Sequence, residues 1–568
     1  MRAGSRDVQP WLASAAVALP LVWLVVVPLV ILVASAFKPT GFLLDPGFTL
    51  DNLRQTWSEP RLWRLVGRTL QFAAGSASLA LVLGATLAWI VERTDFKGGA
   101  VVRSLIILPM AMPPFLLAIG WILLASPRTG AINLMLKDML GLADAPFDIY
   151  SMAGMIFVEG LALTPSAYLI IGPALANFDA ALEEAALMSG AGTRVLLARV
   201  VLPLMLPALA GAGIYLLIAA CMVFDIPGTI GMPGGIMLLS THMYDLVHNN
   251  PTGLPDYGAM SAVAILVIAV LIALCLLYQR LMGRSGRYVT VTGKSFRPRA
   301  FALGRLAPFA TGFVALYLVV SVALPLGILV WASLLPFLMP VSAAALSRLT
   351  FANHVAFLAD PAAGKALLHT LVIGLVAASA VALITLVVSW TVVRTRMPGR
   401  RMLDLIAFMP LAMPGVLVGT ALIYVYLTVR IAPIYGSIWI IAIAHVTVYL
   451  SFASRAMNAA AAQLEAQIEE AARMSGAGAL TALWRIVVPL VLPAIGAVWL
   501  WVFSHSAREL SSALMLQGAD NKTVPTLLFS YWSQGQPTKT AAVGVWLAAG
   551  MFALFAAMHL LQRLTSRR

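Results

Sequence analysis

Six ionisable side chains of this 568-residue chain fall in or beside long apolar runs, where chemistry would concentrate. Glu159 and His445 sit inside such runs, and Asp225, His505, Arg508 and Glu509 lie near the ends of two others. An ionisable group surrounded by hydrocarbon is costly, so each marks a solute pathway or a buried partner. Glu159 and His445 occupy equivalent places in an internal repeat, 286 positions apart. A Glu–His pair there would gate a path or hold two halves together; otherwise each is satisfied by backbone or water on its own helix. Asp225, His505, Arg508 and Glu509 would line an outer mouth, where carboxylates meet a permeating ion without binding it tightly. The alternative for these four is helix capping and local ion pairing. Enzyme chemistry has no foothold. Gly293-Lys294-Ser295 lacks the glycine five residues earlier that a phosphate loop needs, since Tyr288 stands there. Cys221 and Cys275 are lone residues inside apolar runs, neither a metal motif nor a disulfide framework. No catalytic residue, resident metal or cofactor is expected.

The elements that must position these groups follow from composition. The chain is 61% apolar and 11% charged, against about 45–50% and about 25% in a soluble domain. Its solvent is therefore largely lipid. Apolar runs near 20 residues long are membrane-helix candidates, and twelve are expected at 11–36, 68–91, 102–124, 150–175, 204–224, 257–279, 308–333, 368–391, 403–427, 436–453, 490–507 and 541–562. The runs are continuously apolar, not alternating, which favours helices over a barrel. The first run reads as a retained anchor, not a cleaved signal. The net charge of +14 fits a positive-inside bias, not nucleic acid. With both termini inside, Arg93, Lys97, Arg103, Arg394, Arg400, Arg401 and the basic stretch 280–305 all fall on the cytoplasmic face.

The runs form two copies of one pattern. Thr69-Leu70 matches Thr370-Leu371, Arg93-Thr94 matches Arg394-Thr395, and Pro109-Met-Ala-Met-Pro113 matches Pro410-Leu-Ala-Met-Pro414, all at an offset of 301. The offset falls to 286 further on, so about 15 extra residues of the first copy belong in the outer loop 126–148, where insertions are tolerated. Six spans per copy return the chain to its starting side, so the copies are parallel repeats. The expected units are a first repeat at 1–282, a basic cytoplasmic linker at 283–304 and a second repeat at 305–568.

Between the fourth and fifth spans of each repeat lies a hairpin whose two versions share 17 of 27 positions. Residues 182–208 read LEEAALMSGAGTRVLLARVVLPLMLPA, and 468–494 read IEEAARMSGAGALTALWRIVVPLVLPA. Acidic residues open a helix of small, strongly helix-forming residues, consistent with the macrodipole. Gly190 and Gly192 turn the chain, and a second amphipathic stretch, 193–202, leads to Pro203. A helix that merely lay on lipid would need a continuous apolar face instead. The pattern resembles the EAA loop of type I ABC importer permeases: Glu-Ala-Ala, three residues, Gly, nine residues, then Ile-x-Leu-Pro. Glu184, Ala185, Ala186, Gly190 and Pro203 match it in the first loop (181–203), and Glu470, Ala471, Ala472, Gly476 and Pro489 in the second (467–489), each preceded by a further acid, Glu183 or Glu469.

That resemblance covers essentially the whole chain and implies an all-α integral membrane protein of about twelve helices, two six-helix repeats fused in one chain. The fusion is similar to the ferric-iron, thiamine and aminoethylphosphonate permeases. Arg508-Glu-Leu-Ser-Ser-Ala-Leu514, Tyr531-Trp-Ser-Gln-Gly-Gln536 and Phe224-Asp-Ile-Pro227 point to the same group. It implies two separate ATPase subunits docking on the cytoplasmic loops and a periplasmic or lipoprotein solute-binding protein, in a bacterial inner membrane. ATP would be bound by the partners alone. Ferric iron is the first expectation for the solute, to which Asp225 and Glu509 would offer oxygens in passing; thiamine, a phosphonate or another small solute is the alternative. An ion-gradient transporter of six-plus-six topology is the rival class, but its Gly/Asp/Arg-rich loop is absent from 91–102, which reads VERTDFKGGAVV.

Overall fold

The computed structural model describes residues 16–176, 183, 185–186, 188–190, 192–249, 255–285, 301–395, 397–428, 433–465, 467, 474 and 478–565. Helices long and apolar enough to cross a membrane, or bent pairs of them, occupy all twelve expected runs. In the first repeat they are α1 (Ala16–Ser35), α2 (Pro60–Arg93), the bent pair α3 (Gly99–Ala111) and α4 (Pro114–Ala125), α5 (Met152–Ala176), α6 (Leu197–Met222) and α7 (Tyr257–Leu281). The second repeat follows with α8 (Gly304–Ser333), α9 (Pro361–Arg394), the bent pair α10 (Arg400–Ala412) and α11 (Gly415–Thr428), α12 (Ile438–Ala462), α13 (Leu483–Arg508) and α14 (Pro537–Ala557). Shorter helices are named by range.

Runs 102–124 and 403–427 were expected as continuous spans, and here the structure differs. The chain bends by 89° between α3 and α4 and by 112° between α10 and α11. The cause lies in the repeated Pro-x-Ala-Met-Pro motif. Proline removes a helical donor, and its ring excludes the α conformation from the residue before it. Met112 and Met413 each precede a proline and are extended, with ψ of 126° and 102°. Beyond the bend, every residue from Phe115 to Ala125 and from Val416 to Tyr426 is buried. These two segments, apolar all round, form the centre of the bundle.

Around that centre the repeats are interlocked. The first helix of each packs on the second arm of the bent pair of the other. Trp23 on α1 donates to the Tyr426 hydroxyl on α11 at 3.2 Å, and Thr447 on α12 donates to the Leu24 carbonyl at 3.2 Å. On the opposite side α8 approaches α4 so closely that a Cβ on Gly120 would lie 2.8 Å from the Pro325 Cβ. Glycine also lets α2 and α5 nearly touch: a Cβ on Gly84 would stand 2.5 Å from that of Ala167. α2 and α9 have 34 residues each, about 51 Å of helix against about 30 Å of hydrocarbon. They end at Arg93 and Arg394, beside the chain entering each hairpin.

The repeat is visible in individual hydrogen bonds. Asn52 donates to the carbonyls of Ala36 and Lys38, and Asn353 to those of Ser333 and Leu335. Thr69 Oγ1 accepts from Leu239 N–H at 3.0 Å, and Thr370 Oγ1 from Val524 N–H at 2.9 Å. One bond joins the two copies at equivalent positions: Ser511 Oγ donates to Asp225 Oδ1 at 3.4 Å, across 286 residues. Equivalent residues meet only near the axis that relates the repeats, so this contact marks that axis.

Candidate functional site

The two hairpins are the first part of the site. Residues 183–189 include a helical turn, with Ser189 N–H bonding the Ala185 carbonyl at 3.1 Å. Gly190 follows with φ +80°, a left-handed conformation that glycine adopts without strain. A Cβ there would meet no atom within 4 Å. Ala185 is exposed and Ala186 half-buried. Met188 is 89% exposed and its repeat equivalent Met474 is 90% exposed. These are large apolar side chains at equivalent points of the two hairpins. Glu184, Glu469, Glu470, Ala471, Ala472 and Gly476 lie outside the described residues.

The second arm of each hairpin, expected as an amphipathic stretch leading to the next span, runs straight into it. Residues Thr193–Leu196 are α-helical, Leu197–Val201 form a π turn and Leu202–Met222 continue as α-helix without a break. The second copy repeats this over Ala479–Ala482, Leu483–Val487 and Val488–Arg508. Pro203 and Pro489 stand at the second position after the π turn, where a missing N–H costs least. Each rod of 30 residues is about 45 Å long.

Glu183 was expected on the contact surface, but it points inward. Its carboxylate pairs with the Arg93 guanidinium at the end of α2, and the two side chains are 3% and 0% exposed. Arg93 also lies 5.8 Å from the Trp89 ring centre and 5.5 Å from that of Phe301. In the second repeat Arg394 donates to the carbonyls of Leu464, at 2.7 Å, and Glu465, at 3.1 Å. Both arginines thus tie the end of a long helix to the chain entering a hairpin. A second joint lies alongside. Arg103 on α3 makes two bonds to Glu92, at 2.9 and 2.7 Å, and Glu92 accepts from the Tyr168 hydroxyl at 2.7 Å. At the matching joint Asp404 takes the place of Arg103. It accepts from Asn458 at 3.0 Å and pairs with Arg455 at 3.3 Å.

The rods end at the buried polar cluster on the axis. Asp225 follows α6 by three residues and Glu509 follows α13 directly. Glu509 accepts from Ser512 N–H at 3.0 Å, Ser512 Oγ at 2.8 Å and Ala513 N–H at 3.3 Å, capping the helix Ser511–Leu516. Its Oε2 also lies 3.3 Å from His445 Nε2, and His445 Nδ1 is 2.6 Å from Ser506 Oγ. The Glu159–His445 pairing is therefore not what the fold makes: His445 is committed to Glu509 and Ser506. Glu159, 3% exposed, has no hydrogen bond at Oε2. Arg508 donates to the Met110 carbonyl, a group freed by the bend between α3 and α4. His505 lies off the axis, stacked 3.9 Å from Trp501 and bonded to the Trp501 carbonyl at 2.9 Å. Of the four outer-mouth candidates, Glu509 is a helix cap facing His445, Arg508 holds the bend, His505 packs among aromatics, and Asp225 touches its counterpart. Phe224 is buried beside Asp225, its ring 6.4 Å from that of Phe529. Among the described residues, no three His, Cys, Asp or Glu side chains group to hold a metal ion.

Sequence reasoning did not single out Ser506 or Phe301, and met Met110 and Ser511 only as members of longer motifs. The hydroxyls and the carbonyl carry no signal of their own. Arg93, Thr69 and their counterparts were visible as repeat matches, though not for what they bind.

The profile of the family described as "Binding-protein-dependent transport system inner membrane component" matches residues 80–288 and 393–568. The chain is 24% identical over 498 residues to the ferric transport system permease protein FbpB of Actinobacillus pleuropneumoniae, covering 86% of this chain and 70% of that one. It is also 24% identical over 495 residues to the Fe(3+)-transport system permease protein FbpB 2 of Haemophilus influenzae, covering 84% and 86%. The trehalose/maltose transport system permease protein MalF of Thermococcus litoralis matches 47% of the chain, at 29% identity over 280 residues and 92% of its own length. Among solved structures, a bacterial ABC transporter involved in the import of the acidic polysaccharide alginate aligns with 45% of this chain and 88% of that chain, at 20% identity and a TM-score of 0.38.

Proposed function

The chain belongs to the family of binding-protein-dependent transport system inner membrane components, and from that premise we propose how it works. As a member it is the multi-pass permease component of an ABC importer. It is not itself an enzyme: ATP is hydrolysed by partner subunits, and a binding protein delivers the solute.

The proposed machine has one ATPase subunit on each hairpin, both on the cytoplasmic face with the two termini. The observation that carries this reading is the pair of equivalent methionines, Met188 and Met474, each about nine-tenths exposed at the tip of a hairpin. Methionine is flexible and polarisable, suited to a groove on a moving partner. Each hairpin continues as one helical rod to the axis, so closure of the ATPases on ATP rotates α6 and α13 together. Rotation draws Asp225 away from Ser511 and Phe224 away from Phe529, opening the path to the outer side. Hydrolysis lets the rods return, and the solute passes inward. These contacts lie at the repeat interface, where alternating access places its site.

Ferric iron is the proposed solute. The support is that two relatives spanning most of the chain are named as ferric or Fe(3+) transport permeases, together with the sequence signatures shared with that group. The lining contributes carboxylate oxygen at Asp225, enough for passage and too little for retention. Thiamine, a phosphonate or another small solute is the alternative, and selection among them resides in the binding protein.

The test is ATP-dependent uptake of labelled ferric iron into proteoliposomes holding this chain, its ATPase and its binding protein, beside a sample with Gly190 and Gly476 both changed to Val. Uptake by the first and none by the second supports an iron importer driven through the hairpins. ATPase stimulation without iron uptake keeps the importer and removes iron. Equal uptake by both samples removes the hairpins as the coupling points.

A further inference from the structure

The segment joining the repeats does more than connect them. At its end, Phe301 lies beside the last residues of α2 in a short parallel bridge with Thr94. Phe301 N–H donates to the Arg93 carbonyl at 2.8 Å, and the Phe301 carbonyl accepts from Asp95 N–H at 3.1 Å. Two residues on, Leu303 N–H donates to Asp95 Oδ1 at 2.8 Å. These bonds aim the Phe301 ring at one place. It packs 5.4 Å from the Trp89 ring, and the Arg93 guanidinium lies within 6 Å of both ring centres. The Nη2 edge of that guanidinium meets the Glu183 carboxylate at the entry to the first hairpin.

A buried guanidinium is held by what surrounds it. Two aromatic faces attract the cation and exclude water, and exclusion of water strengthens its attraction for Glu183. The joining segment thus supplies one wall of the pocket in which the hairpin is fastened to α2. It occurs once in the chain, between α7 and α8, so the wall serves the first hairpin. At the second hairpin, Arg394 donates to the backbone carbonyls of Leu464 and Glu465.

We propose that Phe301 is a positioning residue for energy coupling: by walling in Arg93 against Glu183, the inter-repeat segment sets the first hairpin in the posture its ATPase requires. The two hairpins are then unequal, the first depending on the joining segment. This rests on the reading that the hairpins are the ATPase docking points.

The test uses the full chain assembled with its purified ATPase subunit, reading stimulation of ATP hydrolysis and amide exchange across residues 185–190. Phe301→Ala removes the ring, and Phe301→Trp keeps an aromatic wall. Asp95→Ala removes the acceptor of Leu303 N–H, and Asp95→Asn keeps it. Loss of a desolvated cation–aromatic contact corresponds to about a tenfold change. Phe301→Ala and Asp95→Ala are therefore expected to lower stimulation about tenfold and to speed exchange at 185–190 by a similar factor, with Phe301→Trp and Asp95→Asn restoring both. Rescue by the conservative partner separates positioning from a general loss of structure. If Phe301→Ala does not assemble, the Asp95 pair reads the same clamp through Leu303. Unchanged stimulation and exchange in both alanine variants, with Gly190→Val still abolishing stimulation, overturns the proposal and leaves the docking reading standing. Unchanged stimulation in Gly190→Val as well overturns both.

Discussion

Replacing Glu183 by Gln measures what the buried fastening contributes. The substitution keeps the length of the side chain and one hydrogen bond to Arg93, and removes only the charge. Arg93 is fully buried and Glu183 nearly so, so water cannot compensate. Removing one member of a buried ion pair costs about 3–5 kcal/mol. The retained amide bond and the rings of Trp89 and Phe301 offset part of this, leaving about 2–3 kcal/mol. The neighbouring pair on the same helix provides the contrast. Arg103 is 53% exposed where it meets Glu92, and Arg103→Ala should cost no more than about 1 kcal/mol, as for other solvent-screened pairs. The assay is amide exchange at residues 185–190 in the purified protein under native conditions, where the rate reports local opening. Glu183→Gln should accelerate it about 30- to 150-fold and Arg103→Ala by less than about fivefold. Equal effects of the two substitutions, or no acceleration by Glu183→Gln, would refute the argument that burial of Arg93–Glu183 fixes the hairpin.

Other outcomes follow from the same geometry. Thr69→Val and Thr370→Val each leave a buried N–H without its acceptor, at about 1–3 kcal/mol, and the losses should add within about 0.5 kcal/mol because the sites are in separate repeats; thermal unfolding in detergent checks both. Gly84→Leu forces α2 away from α5, where a Cβ already approaches Ala167 to 2.5 Å, and should prevent recovery of folded protein, while Gly67→Leu, with open space around it, should be tolerated. Arg508→Met leaves the Met110 carbonyl without its donor and should lower both thermal stability and solute uptake. Glu159→Gln should leave assembly intact, since His445 faces Ser506 and Glu509 instead; loss of assembly would show that Glu159 holds the repeats together after all.

Much of the architecture was legible in the residues because lipid imposes simple rules. A segment of about 20 apolar residues has few ways to satisfy its backbone except as a helix. The repeated Glu-Ala-Ala loops likewise pointed to docking, which is the reading proposed above. The Pro-x-Ala-Met-Pro motifs were visible as a repeat but not as bends of 89° and 112°. An apolar run has the same composition whether it crosses straight or folds into the protein centre.

The partners of the buried charges were decided by tertiary structure alone. Equivalent positions in two repeats need not meet, and the 286-residue spacing of Glu159 and His445 did not bring them together. That spacing is realised instead between Asp225 and Ser511, because α6 and α13 both end three residues before them, at the axis. The inward turn of Glu183 toward Arg93 and the closure of their pocket by Phe301 depend on helix ends and a joining segment packing together. Sequence periodicity determines which face of a helix is apolar. It does not specify which distant side chain will stand opposite a charge once the helices have packed.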